Sequence, residues 1–384
     1  MTCHGVFAGG MRSSNEIAEP ITYEAYPVRT HDGFELMLYR SRPTVASLTL
    51  DKRPVLLLPG ANSNRFTFGV VDGLTLPASL NAAGRDVWLL DFRGSRSSTY
   101  LRSGKPVINL DRKLDFDLPA AIDLVLKETQ AERVDLVGHS LGGVLGYCFC
   151  AGPGAERIGR MVTLASPASF EKFFGLAARV MHHPTRLLAP VAQRLRGIGI
   201  DRAARMPGPL PHAVAMNNHL RLRTLTRAQR RAWLTHGIED MSGGDLSQLM
   251  RWITTGRYVA ADGRDRGRDL ASIRTPTLVI RVEGDGLVPG ASVTDAYERL
   301  GTEDKAIVVI GKAHGATRNY RHADILLAPS AVYDVHPHVV SWLNKPASAA
   351  TGADAQGSGD QICQVNRTVG VTTQASGVST GGAS

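Results

Sequence analysis

Cysteine is scarce: the chain has four in 384 residues, Cys3, Cys148, Cys150 and Cys363. Their spacing matches neither a metal-ligand motif nor a disulfide framework. No bound metal and no cystine scaffold is expected. Cys148 and Cys150, two apart on an expected helix, read as small buried residues on different faces. Long apolar runs are missing too. No stretch reaches the roughly 18 apolar residues of a membrane-spanning helix, and the first twenty residues hold Gly, Ser and charge but no apolar core of signal-peptide length. These absences lead to the expectation of a reduced, soluble, cytoplasmic protein, with contact at a lipid interface left open. Aromatic residues make up only 6% and do not interleave with the arginines behind the net charge of +9. A nucleic-acid partner is therefore not expected, and the scattered arginines read as a solvated surface.

What is present is ample apolar material, 43% of a long chain, enough to bury a large core. Thr22 to Val28 and Phe34 to Tyr39 read as strands around the turn Thr30-His31-Asp32-Gly33, an antiparallel hairpin at a sheet edge. Val55-Leu56-Leu57-Leu58 is continuously apolar, as a strand buried on both faces must be. Helical spacing follows at Leu74 to Ala83, a strand at Asp86 to Leu90, a helix at Asp115 to Lys127 with Pro119 in its first turn, and strands at Val134 to Val137 and Met161 to Leu164. Strand and helix alternate again from Thr275 onward, through Val293 to Leu300, Ala306 to Ile310 and Val335 to Leu343. This alternation predicts an α/β fold with a mostly parallel central sheet, helices on both faces and an inserted helical cap. The expected boundaries are a flexible N-terminus (1–20), a core (21–168 and 271–346), a cap (169–270), and a disordered tail (347–384) too poor in large apolar residues to offset the entropy of ordering.

The most informative stretch is Val134-Asp135-Leu136-Val137-Gly138-His139-Ser140-Leu141-Gly142-Gly143. A Gly-x-Ser-x-Gly pentapeptide alone is a common chance match, but here it lies between an apolar strand and a small-residue helix, the setting of a nucleophile elbow. Such a turn lifts a serine hydroxyl above the strand end and starts a helix at the next residue. The Leu141 amide, with the helix dipole behind it, then points to where an oxyanion would develop. The exit loop of the strand ending at Leu58 is where such a fold places a second amide, by position that of Ala61.

A serine hydroxyl is a weak nucleophile at neutral pH and needs a histidine base oriented by a carboxylate, in the chain order Ser, acid, His. Asp285, between Gly284 and Gly286 after the strand that follows the cap, is the expected acid, with Glu283 the alternative. Of the later histidines, His336 and His338 flank Pro337 and read as structural. His314 and His322 both lie in the loop after the last strand, and spacing alone leaves both open.

The chain from about residue 20 to 345 resembles the serine α/β-hydrolases, and among them the acid and gastric lipase-like branch with its bacterial relatives. The resemblance rests on Asp86-Val87-Trp88-Leu89 with Arg93-Gly94, on Asp117-Leu118-Pro119-Ala120-Ala121-Ile122-Asp123, on Gly284-Asp285-Gly286-Leu287, and on Tyr320-Arg321-His322-Ala323-Asp324. The last is similar to the Tyr-x-His-x-Asp pattern that supplies the base in that branch, so the resemblance implies His322 rather than His314. It departs from the pattern at Pro59-Gly60, where a His-Gly is usual, and at Leu141. Both oxyanion contacts are main-chain amides, so neither change removes a donor. The cap does not resemble the lipase cap, and the substrate class does not carry over with the fold.

The expected activity is hydrolysis of a small-molecule carboxylic ester through an acyl-enzyme on Ser140, with catalytic residues Ser140, Asp285 and His322, oxyanion amides at Ala61 and Leu141, and no cofactor or metal. Acyl transfer to an alcohol or thiol would use the same groups, and a non-catalytic ligand-binding protein would need the pocket without the full proton-transfer set. Ser140 itself speaks against the aspartate-dependent dehalogenases and epoxide hydrolases and the cysteine-dependent polyhydroxyalkanoate synthases. The oligomeric state is left open.

Overall fold

The computed structural model describes residues 23–43, 53–69, 74–168, 225–260, 262–266 and 268–346. The expected N-terminal segment, the tail and much of the expected cap (169–224) lie outside the described residues. The strands are β1 (Glu24–Arg29), β2 (Phe34–Ser41), β3 (Val55–Leu58), β4 (Val87–Asp91), β5 (Thr99–Tyr100), β6 (Val134–His139), β7 (Ile158–Leu164), β8 (Thr277–Val282) and β9 (Lys305–Ile310). They form one sheet in the order β1-β2-β4-β3-β6-β7-β8-β9, with β5 beside β2. The β1–β2 hairpin is antiparallel at one edge and β2 meets β4 antiparallel; from β4 to β9 every pairing is parallel. The α/β architecture expected from alternation is thus present.

The main helices are α1 (Leu76–Ala82), α2 (Leu118–Thr129), α3 (Leu141–Cys150), α4 (Arg227–Ala232), α5 (Gly243–Thr255), α6 (Gly290–Arg299) and α7 (His336–Leu343). The period-two alternation of the strands sends Leu56, Leu58 and Leu136 to one face, where they pack with α2, α3 and α6. Val55, Leu57 and Val137 face the other side, against α1 and α7. Cys148 and Cys150 are buried free thiols of α3, and burial pushes both up to about 12. Among the described residues no helix is long and apolar enough to cross a membrane.

Several arginines depart from the expected solvated surface: Arg40, Arg85, Arg93 and Arg160 are buried. At the amino-terminal end of the parallel strands, Arg85 pairs with Asp135 of β6 and donates to the carbonyls of Arg53 at 2.8 Å and Leu343 at 2.7 Å. Asp135 also accepts the Arg160 N–H at 2.7 Å, and the Arg160 guanidinium reaches the Trp342 carbonyl at 3.2 Å. Two buried cations therefore serve the last carbonyls of α7, which have no partner within the helix. This also explains why β7 begins at Ile158, three residues before the expected Met161: Arg160 is a strand residue whose polar head is buried among carbonyls. A second difference lies before α2, where Lys113–Asp117 forms a π-helical turn that brings Asp117 to Arg93.

Removing the anion at the base of the sheet leaves the Arg85 guanidinium buried without its counter-ion, so Asp135→Asn should lower unfolding stability by about 3–5 kcal/mol. Removing the carboxylate of the exposed Arg264–Asp262 pair should leave the denaturant midpoint in place; equal midpoints for both variants would refute the assignment. A pH effect follows from α7. Burial pushes the His336 imidazole down from 6.5 to about 4, with its Nδ1 2.8 Å from Ser79 Oγ. The unfolded chain takes up this proton near pH 6.5 and the folded protein only near 4, so the contribution is complete above the higher value and is lost as pH falls to the lower one. Replacing His336 by Asn should flatten that part of the stability–pH curve, and parallel curves for the two proteins would count against it.

Candidate active site

The site forms at the carboxyl ends of the parallel strands, where their loops converge. Between β6 and α3 the chain turns at Ser140 with φ 53° and ψ −120°, a conformation that non-glycine residues avoid unless the surroundings impose it. The Ser140 N–H donates to the Leu164 carbonyl of β7 at 2.8 Å, and the Ser140 carbonyl accepts from Gly143 and Val144, both at 3.1 Å. Space enforces the rest: a Cβ on Gly142 would lie 2.2 Å from the Leu58 carbonyl oxygen, and one on Gly138 would lie 2.5 Å from the Gly143 Cα. The elbow helix can sit this close to β3 and β6 only because these positions lack side chains. Leu141 is the first residue of α3, so its N–H has no acceptor one turn back in the helix.

Asp285 follows β8. Its Oδ1 accepts the N–H groups of Leu287 at 2.8 Å and Val288 at 2.9 Å, and its Oδ2 meets His322 Nδ1 at 2.8 Å. Burial works to raise the Asp285 pKa, but the neighbouring His322 charge, the His322 hydrogen bond and the two backbone donors outweigh it and hold the carboxyl below its ordinary value. The acid stays ionised at neutral pH. A carboxylate only accepts, so Nδ1 carries a proton and donates it to Oδ2. Both side chains are buried. By contrast, Glu283 and His314 are exposed.

The loop bearing His322 is fixed by the other members of its sequence pattern. Tyr320 donates its hydroxyl to Asp334 at 2.6 Å, and the same carboxylate accepts the Thr317 N–H. Asp324 accepts the Arg321 N–H at 3.2 Å. A residue that spacing did not single out joins this loop to the elbow: His139, just before Ser140, approaches the His322 carbonyl with Nε2 at 3.0 Å, and the two rings lie 4.8 Å apart. The carbonyl can only accept, so His139 Nε2 is the donor. A Cβ on Gly60 would lie 3.2 Å from Ser140 Cβ, so the loop after β3 passes directly beside the serine. A cavity walled by Gly60, Ala61, Phe92, Leu141, Glu239 and Asp240 opens there, which puts both expected oxyanion residues on one space. Arg93 and Gly94 also line it, and Arg93 is held by Asp117 and Asp32 through bonds of 2.8 and 2.7 Å. Among the described residues no group of three or more His, Cys, Asp or Glu is placed to hold a metal.

A model of the alpha/beta hydrolase family matches residues 55–335. Gastric triacylglycerol lipase of Rattus norvegicus is 30% identical over 205 residues, 48% of this chain and 52% of the rat enzyme. The same enzyme of Bos taurus is 23% identical over 374 residues, 88% of this chain and 94% of its own. The chain thus matches about half the length of the rat lipase and nearly all of the bovine one. Among solved structures, a hydrolase from Pseudomonas aeruginosa PA01 aligns with a TM-score of 0.55 at 18% identity, over 83% of this chain and 98% of that one. An esterase from Exiguobacterium antarcticum aligns with a TM-score of 0.52 at 14% identity, over 83% and 99%. At that identity the likeness concerns the fold. The family match runs from β3 through the elbow and the Asp285 loop to the His322 loop, well over half of the sequence, and this chain therefore belongs to the alpha/beta hydrolase family.

Proposed function

We propose that the protein is a serine hydrolase of carboxylic esters. The observation that carries this reading is the 2.8 Å contact between His322 Nδ1 and Asp285, on a loop bonded to the residue that precedes Ser140. The similarity to triacylglycerol lipases supports an ester as substrate.

In this reading Ser140 Oγ attacks the acyl carbon while His322 Nε2 takes the hydroxyl proton, and Asp285 stabilises the imidazolium by accepting from Nδ1. The carbonyl oxygen becomes an oxyanion held by the amides of Leu141 and Ala61. Collapse of the intermediate breaks the bond to the alcohol, which leaves with the proton from His322. Water then adds to the acyl-enzyme with His322 again as base, and the acid is released as Ser140 regains its proton. Of the insertion after β7, the described segment around Ile238 bridges to Ser63 in the loop after β3, and in this reading it limits water access to the site.

On a p-nitrophenyl ester, Ser140→Ala should cut turnover by about four orders of magnitude or more while the protein stays folded. A variant with near wild-type turnover would end the proposal. Water as acceptor is checked in the same assay, since a product ester formed from an added alcohol at the expense of free acid would show acyl transfer instead.

The base is tested by a pair of substitutions. His322→Ala should lose nearly as much as Ser140→Ala and add little to it in the double variant, whereas His314→Ala should change turnover by less than about tenfold. The reverse pattern would move the base to His314.

A further inference from the structure

The Ala61 amide has no side chain to aim it, so its direction depends on how the loop after β3 is held. Asn62, the next residue, has φ 54°, in the left-handed region that costs any non-glycine residue energy, although asparagine tolerates it better than most. Its carbonyl accepts the Glu239 N–H at 2.9 Å, and its amide nitrogen donates to the Glu239 carbonyl at 3.4 Å. Ser63 and Ile238 form an antiparallel bridge. Asn64 then donates to the His236 carbonyl and to Glu239 Oε1, both at 2.7 Å. Glu239 is buried, and its other oxygen accepts Arg96 Nε at 3.1 Å, while Arg96 also reaches the carbonyls of Thr235 and Ile238. The same short segment packs Trp233 and Ile238 with Ala323 and Leu327, beside His322.

We infer that Glu239 is a positioning residue for the proposed reaction: resting on the assignment of Ser140 as nucleophile, residues 233–240 of the insertion are a strap whose Glu239 carboxylate fixes the Asn62–Asn64 turn and so aims the Ala61 amide at the oxyanion. The strap binds both loops that must face Ser140, one through the Glu239 bonds and one through apolar contact. A carboxylate suits the position because it accepts from Asn64 and Arg96 at once; glutamine at 239 keeps the shape but turns an N–H toward one of those donors. Glu239 is in the cavity wall, but its two carboxylate oxygens are taken by Asn64 and Arg96, and the chemistry requires no bond from them to the substrate. Its effect falls on charge that develops only in the transition state.

The test compares two ligands in the whole protein. An alkyl trifluoromethyl ketone takes up Ser140 Oγ at its carbonyl carbon, with the serine proton passing to His322, and leaves an oxyanion; the matching methyl ketone binds as the unreacted carbonyl. For Glu239→Gln, kcat and the affinity for the trifluoromethyl ketone should both fall by about ten- to a hundredfold, since a misaligned donor costs part of what a deleted one does. KM and methyl ketone affinity should stay within about threefold. Arg96→Ala, whose side chain is 41% exposed, loosens the same carboxylate and should shift the same ratio in the same direction; it carries the test if Glu239→Gln does not fold. The double variant should lose less than the product of the two single losses. An unchanged ratio of the two ketone affinities in a folded variant overturns the strap's role. Failure of the wild-type protein to bind the trifluoromethyl ketone more tightly than the methyl ketone overturns instead the assignment of Ser140, and the inference with it.

Discussion

The arrangement of this molecule depends on one backbone conformation, that of Ser140 at φ 53° and ψ −120°. A strained residue persists only where its surroundings over-determine it, and here they do so from three sides. The Leu164 carbonyl takes the Ser140 N–H, the carbonyls of Leu58 and Pro59 leave no room for a side chain at 142, and Ser166 leaves none at 143. Parallel neighbours on both sides of β6 are therefore a requirement of the turn. The sheet order, with β3 and β7 flanking the elbow strand, supplies them.

Different physics holds the two halves of the fold. The sheet and its helices are stabilised by apolar burial, with side chains such as Leu56, Leu57, Leu136 and Val137 fully removed from water. The carboxyl-end loops add directional bonds to charged groups: Arg93 between Asp32 and Asp117, Thr317 and Tyr320 on Asp334, and Asn64 and Arg96 on Glu239. Charge-assisted bonds are short and angularly demanding, which is what loops need if Asp285 and His322, 37 residues apart, are to meet at 2.8 Å. The cost is that each buried charge depends on its partner, so conservative-looking changes such as Asp to Asn at these places are severe.

The motif residues shared with the lipase-like branch acquire physical roles in this setting. The tyrosine of Tyr320-x-His322-x-Asp324 anchors its loop on Asp334, the aspartate caps the backbone at Arg321, and the histidine between them is left to face Asp285. Arg93 and Asp117, which stand in two separate motifs of the sequence, form one ion pair. That pair ties the loop after β4 to the start of α2.

Much of this was written in the sequence, because its causes are local. Continuous apolar runs mark strands buried on both faces, a 3.6-residue period marks the helices, and glycines around a serine between strand and helix mark the elbow. Those signals yield the parallel sheet, its antiparallel edge hairpin and the candidate set of Ser140, Asp285 and two histidines. Long-range pairing was not legible. Arg160 and Arg85 look like surface residues in a one-dimensional reading, and only the placement of α7 under the strands gives them buried carbonyls to serve. Likewise His322 and His314 are equivalent by spacing. The separation between them, one buried against Asp285 and the other exposed in solvent, arises where the loops after β8 and β9 and the elbow residue His139 meet. Local periodicity reports which face a residue turns to its own element's neighbours; which distant charge it finds there is decided by the packing of elements far apart in the chain.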